Sequence, residues 1–269
     1  MRLVTVRTSA GTVAGRVEGE DIVLLDAPDV GAVLARRAAA DEPRETGSLP
    51  RTGAELAAVV PRPRKIVCVG LNYRNHILEM GRELPAFPTL FAKFDRTLAG
   101  PFDDIALPAE SQSVDWEVEL TLVVGRAVRR ASADEAKTAI AGYTVANDVS
   151  MRDWQNRTVE WLQGKAFEAS TPLGPELVTA DEVDAGDLEV TCEVNGTVMQ
   201  QSRTSELVFG PAALVSYVST IVTLDPGDLI LTGTPGGVGQ ARKPPLFLKS
   251  GDELRTTVEG IGTLVNRIV

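Results

Sequence analysis

The sequence predicts an α+β fold that is mostly β. Short runs of apolar and β-branched residues recur along nearly the whole chain, while only a few stretches carry helical periodicity. Asn195-Gly196 stands between two such runs, the dipeptide of a type I′ hairpin. Strands and helices also alternate too irregularly for repeated βαβ units.

Taken in order, Leu3-Val4-Thr5-Val6 and Val13 to Val17 alternate, with Gly11 and Gly15 at turn or bulge positions, and Ile22 to Leu25 is a third short strand. Asp29 is placed to cap a helix running through Val33 and Leu34 to about Ala40. Residues 41–53 lose periodicity and gain Asp, Glu, Pro, Arg and Gly, so they read as a loop. Residues 1–60 therefore read as a small N-terminal α/β domain. Pro61-Arg62-Pro63-Arg64 is a stiff linker at 61–64, because two prolines extend the backbone, and a larger domain follows over 65–269. Its expected strands are 65–69, 89–94, 117–124, 141–147, 187–194, 197–202, 228–232, 253–259 and 262–266. Helices are expected at 133–140 and at 210–222, the latter through Leu214, Val215, Val218 and Ile221. Glu259-Gly260 marks another tight turn, and no internal repeat or low-complexity tract is present.

Composition removes several function classes. The chain has 269 residues and 27 Lys+Arg against 37 Asp+Glu, a net charge of −10, which disfavours nucleic acid or an anionic membrane as partner. One histidine excludes multi-histidine zinc sites, and two cysteines exclude zinc fingers and Fe–S clusters. Any bound metal must take mostly oxygen ligands, and any imidazole chemistry must use His76. Met1 to Gly11 is polar and alternating, unlike a signal peptide, and no apolar run is long enough to predict a transmembrane helix. Cys68 and Cys192 sit in apolar strand-like runs and read as reduced core thiols, so a cytoplasmic protein is expected.

Four segments carry chemistry. In Val114-Asp115-Trp116-Glu117-Val118-Glu119, alternation projects Glu117 and Glu119 to one face, where they repel unless a cation lies between them. A solvated outer face fits the spacing too, although the apolar continuation Val123-Val124 argues for burial. Asp148 follows an apolar strand and suits either a helix N-cap or a third carboxylate for a hard cation. Arg152 and Gln155 would share a helical face beyond it, and Lys165 lies among glycine and aromatic neighbours; surface positions are the plain alternative for all three. His76 and Glu79 are three apart, the spacing of a carboxylate-oriented base or of an ordinary surface pair. Thr232 to Gly239, containing Thr234, is glycine-rich but lacks both the phosphate-loop ending and the dinucleotide fingerprint. There is no Gly-x-Ser-x-Gly elbow, so triad hydrolysis is not expected.

Taken together, the order of these segments resembles the fumarylacetoacetate hydrolase family over about residues 64–269. Gly70-Leu71-Asn72-Tyr73 with His76 and Glu79 comes first. Trp116-Glu117-Val118-Glu119 and Asn147-Asp148-Val149-Ser150 with Arg152, Asp153 and Gln155 follow, and then Lys165. Pro226 to Pro235 and Glu259 to Leu264 complete the pattern. The resemblance implies a mixed β-sandwich roll and a homodimer. It implies that Glu117, Glu119 and Asp148 bind Mg²⁺ or Mn²⁺. It also implies that His76 and Glu79 form a base dyad on a lid, with Lys165, Arg152, Gln155 and Thr234 facing a small 2-oxo acid.

The expected activity is hydrolysis of a 2,4-dioxo acid of the acylpyruvate type. His76 activates water, the C3–C4 bond breaks, and the metal holds the leaving pyruvate as its enolate. The alternative on the same site is decarboxylation of oxaloacetate, or isomerisation of an unsaturated 2-oxo or 2-hydroxy diacid. A non-catalytic metal or small-acid binding protein is a third reading.

Overall fold

The computed structural model describes every residue except Met80 and Arg82, and every side chain except those two and those of His76 and Glu79. In its N-terminal part, β1 (Arg2–Thr8), β2 (Gly11–Glu18), β3 (Asp21–Leu25), α1 (Val30–Ala38) and β4 (Glu45–Pro50) come first. Next are β5 (Ile66–Gly70), α2 (Arg74–Glu79), β6 (Thr89–Lys93), β7 (Leu98–Ala99), β8 (Val114–Asp115) and β9 (Val118–Val124). They are followed by α3 (Ala133–Ala139), β10 (Ile140–Asn147), β11 (Ser150–Met151), α4 (Arg152–Gln155), α5 (Leu162–Lys165) and β12 (Thr171–Thr179). The chain closes with β13 (Glu189–Val194), β14 (Thr197–Arg203), α6 (Pro211–Ile221), β15 (Leu229–Leu231), β16 (Glu253–Val258) and β17 (Gly262–Arg267). No helix among the described residues is long and apolar enough to cross a membrane.

The main sheet runs β4-β3-β2-β1-β12-β10-β9-β15-β5-β6, and it is mixed because β15 and β5 pair in parallel. A second sheet, β14-β13-β16-β17, packs against β9, β10 and β12. Between the sheets lie Leu120, Leu122, Val145, Val190, Cys192, Leu254 and Leu264, all buried. The opposite face of the main sheet buries Val123, Ala146, Leu173 and Leu177 against Val30, Val33 and Leu34 of α1. With both faces covered, β9 is buried at every residue. This is the strand-rich α+β sandwich roll that the sequence predicts, with an additional N-terminal region.

Local chemistry explains the elements that the sequence predicts well. Asp29 caps α1 by accepting the Ala32 N–H at 2.8 Å. Ser132 and Glu135 form a reciprocal capping box at the start of α3. Val194 pairs with Thr197 across Asn195 and Gly196, whose φ values of 52° and 73° are those of a type I′ turn.

Besides the two-residue strands β7, β8 and β11, two longer strands depart from expectation. Residues 41–53 contain β4, which pairs with β3 at the edge of the sheet; it is almost wholly exposed, so no alternation marks it. β12 has no counterpart in the sequence reading, although it joins β1 to β10 in mid-sheet. Its sequence, Thr-Pro-Leu-Gly-Pro, carries turn residues. They are accommodated where the β10–β12 register shifts, with Val145 opposite Gly174 at φ 146°.

Candidate metal and substrate site

The antiparallel ladder between β9 and β10 assembles the carboxylates. Asn147 sits opposite Val118, and Asp148 continues the pairing by donating its N–H to the Glu117 carbonyl at 2.9 Å. Asp148 is not a helix cap: α4 begins at Arg152, after the extended pair Ser150–Met151, with Met151 as an N-cap that offers no side-chain bond. Oxygens of Glu117, Glu119 and Asp148 all lie within 4.8 Å of one another. Their residues are 8%, 1% and 0% exposed, which removes the solvated-face reading.

Buried cations meet this trio. Lys165 Nζ lies 2.7 Å from Glu117 Oε2 and 2.9 Å from Asp148 Oδ2, and Lys93 Nζ pairs with Asp148 Oδ1. Arg152 Nη1 lies 2.7 Å from Glu117 Oε1 and donates to Gln155 Oε1 at 2.8 Å. Lys165, Arg152 and Gln155 are therefore buried polar groups and not surface ones. Burial pushes the Asp148 carboxyl up, but Lys165 and Lys93 outweigh it and hold the group below its ordinary value. Burial likewise works against the Lys165 ammonium, and the charges of Asp148 and Glu117 outweigh it.

Glu119 differs from its neighbours. Among the described residues it has no ion pair, and its Oε2 accepts only the Gly233 N–H at 2.7 Å. Burial, reinforced by the charges of Asp148 and Glu117, pushes its carboxyl well above the usual range. A cation with access to all three carboxylates would relieve that repulsion. The donor set is all oxygen, matching a hard divalent ion such as Mg²⁺ or Mn²⁺, so these residues fit the implied metal.

A cavity of about 390 Å³ opens over this floor, and Glu117, Arg152, Gln155, Lys165 and Thr234 line it. The structure thus gathers five of the nine expected site residues around one space, with Glu119 and Asp148 beneath. The expected dyad, His76 and Glu79, falls on α2, and their side chains lie outside the described residues.

Three further residues build the site. Lys93 ends β6 and is 3% exposed; its only sequence signal was a lone charge in the apolar run Leu90 to Phe94. Asp115 accepts four N–H bonds. Trp116 N and Gly239 N reach Oδ1 at 2.8 and 2.6 Å, and Gln240 N and Arg152 Nε reach Oδ2 at 3.0 and 2.8 Å. It therefore ties Arg152 to the glycine-rich turn, and its position two residues before Glu117 was readable from the same alternation. Gln200 accepts the Val118 N–H through Oε1 at 2.9 Å and donates through Nε2 to Thr234 Oγ1 at 2.8 Å.

Comparison with known proteins follows the same lines. Residues 65–269 match the family described as fumarylacetoacetate (FAA) hydrolase C-terminal. The chain is 50% identical over 224 residues to oxaloacetate tautomerase FAHD2A, mitochondrial, of Bos taurus, covering 82% of this chain and 71% of that one. It is 47% identical over 239 residues to the Homo sapiens protein of the same name, covering 88% and 75%. The crystal structure of 2-hydroxyhepta-2,4-diene-1,7-dioate isomerase from Mycobacterium marinum superposes with a TM-score of 0.84 at 37% identity, covering 100% of this chain and 98% of that one.

The cytoplasmic expectation does not stand, because these curated relatives are mitochondrial by name. Cys68 and Cys192 are indeed free and buried, but reduced thiols report reducing surroundings and not which compartment provides them. The matched residues, the relatives and the buried carboxylate trio agree: the chain is an enzyme of the fumarylacetoacetate hydrolase family.

Proposed function

We propose that this enzyme is a divalent-metal-dependent isomerase that interconverts the enol and keto forms of a compact 2-oxo diacid of the oxaloacetate type. The observation that carries this reading is the identity of 44–50% to proteins named oxaloacetate tautomerase, across 82–92% of the chain. The geometry supports it, because one cavity offers carboxylates for a hard cation together with Lys165 and Arg152 for an anionic substrate.

An ion held by Glu117, Glu119 and Asp148 would supply Lewis acidity toward the 2-oxo oxygen and the adjacent carboxylate. Lys165 sets a positive charge beside the same end of the substrate, offsetting repulsion from an acidic protein. Arg152, oriented by Asp115 and Gln155, meets the distal carboxylate, with Gln155 and Thr234 completing that wall. The reaction moves one proton between C3 and the 2-oxo oxygen; no carbon–carbon bond breaks and no water is consumed. His76 is assigned to that proton and Glu79 to its orientation. The homodimer belongs to the same proposal, and sedimentation velocity tests it.

Hydrolysis of a 2,4-dioxo acid is the second reading, favoured by the hydrolase of the family description. The deciding experiment follows enol-oxaloacetate absorbance with purified protein and Mg²⁺, beside pyruvate release from acetylpyruvate. Faster enol decay that chelation abolishes is expected. Pyruvate release with enol decay at the uncatalysed rate would establish the hydrolase instead. Tight oxalate binding with neither activity would leave a binding protein.

A further inference from the structure

We propose that Trp161, matched to the side-chain-free Gly70, sets the size of the group the substrate carries beyond its 2-oxo acid end, restricting the site to compact tails. This rests on the proposed isomerase for the reaction but not for the geometry.

The cavity has two kinds of wall. Opposed in character to the charged residues are Val69, Gly70, Leu71, Phe91 and Trp161. Gly70 ends β5, and a Cβ built on it would stand 2.8 Å from Trp161 Cη2 and closer still to Cζ3. The six-membered ring of the indole thus occupies the space a side chain at position 70 would need. Phe91 meets the same indole edge to face, with centroids 5.7 Å apart and planes at 72°. Lys165 Nζ lies 5.3 Å from the centroid of that Phe91 ring. One phenyl ring therefore spans from the ammonium on the carboxylate floor to the indole.

The indole is fixed through the backbone as well. Trp161 directly precedes α5 and accepts the Gly164 N–H at 3.0 Å. α5 is itself pressed on α4, where a Cβ at Gly164 would stand 2.5 Å from both Gln155 Cβ and the Met151 carbonyl oxygen. The helix that delivers Lys165 to the carboxylates thus also sets the indole of Trp161, four residues before that lysine, against Gly70. A cavity of about 390 Å³ is near the lower end of the usual range of roughly 300–1,000 Å³ for small-molecule sites. An apolar wall of this kind discriminates by size, and each methylene of mismatch is worth about 10–200-fold.

The test compares Trp161→Ala with the natural protein in two assays, both with Mg²⁺. One reads kcat/KM for the enols of oxaloacetate and phenylpyruvate, whose tails are a carboxylate and a phenyl ring. The other reads binding of oxalate and phenylpyruvate by calorimetry. Trp161→Ala should raise the preference for phenylpyruvate at least about tenfold in both ratios. Gly70→Ala should weaken binding several-fold in the natural background and less than about twofold beside Trp161→Ala, since the clash disappears with the indole. Unchanged ratios, or an equal effect of Gly70→Ala in both backgrounds, would overturn the proposal. If the natural protein accelerates neither enol, the isomerase reading fails, while the calorimetric ratio still decides the role of the wall.

Discussion

Asp115→Asn is the most informative single substitution, because the side chain is fully buried and accepts four N–H bonds. An amide has one accepting end. If its oxygen keeps Trp116 and Gly239, its NH₂ must face two donors, Gln240 N and Arg152 Nε. Turning the amide only exchanges which pair is lost. In the first orientation one charge-assisted bond goes, worth about 1.5–3 kcal/mol, and the part-buried Gln240 N–H loses its acceptor, at the lower end of about 1–3 kcal/mol. Arg152 keeps Glu117 at 2.7 Å, so its charge is not stranded, and the total should fall near 3–5 kcal/mol. At roughly 2–4 °C per kcal/mol for a chain of this size, the melting temperature should drop by about 6–20 °C. Urea unfolding gives the free energy, and KM for the diacid should rise as Arg152 loses its orientation. A stability loss below about 1 kcal/mol, with KM unmoved, would refute the reading of Asp115 as the tie between Arg152 and the glycine-rich turn.

Further outcomes follow from the same geometry. Glu119→Gln can still accept the Gly233 N–H, so it should fold; the stabilisation by Mg²⁺, about 2.7 kcal/mol at 100 times Kd in the natural protein, should vanish, as thermal scans with and without the ion will show. His76→Ala should slow enol decay by about 10²–10⁴-fold while calorimetry finds oxalate binding intact; natural turnover would remove His76 from the reaction. Asp26 bonds Arg36 and the Arg44 N–H, which together hold its carboxyl down to about 2 from an ordinary 3.8. Its contribution is therefore present above about pH 3.8 and lost as pH falls through about 2, and Asp26→Asn should flatten the acid limb of stability in that window.

Local chemistry made most of the fold legible. Caps at Asp29 and Ser132, the Asn195-Gly196 turn and the alternation of β13, β16 and β17 all act over a few residues, so the sequence displays them directly. β12 was hidden because Pro172, Gly174 and Pro175 ordinarily end strands, and pairing with β7 at its start, β1 near its end and a shifted β10 along the other edge sustains one there. β4 was hidden for the opposite reason, since an edge strand with little to bury leaves no pattern.

The site divides along the same line. Glu117 and Glu119 are two apart, and the pleat alone directs them together. Asp115 belongs to that alternation, yet its role depends on residues 239 and 240, more than a hundred positions away. Lys93 depends on Asp148 just past the end of another strand, and a solitary lysine at a strand end says nothing about its partner until the two strands are placed. Charge explains why such partners must exist. Three carboxylates as deeply buried as Glu117, Glu119 and Asp148 cannot stay ionised unaided. Lys93, Lys165 and Arg152 compensate Glu117 and Asp148, and among the described residues Glu119 is left without an ion pair. That remaining imbalance, at the centre of a trio whose oxygens lie within 4.8 Å, is the strongest physical reason to place the divalent ion there.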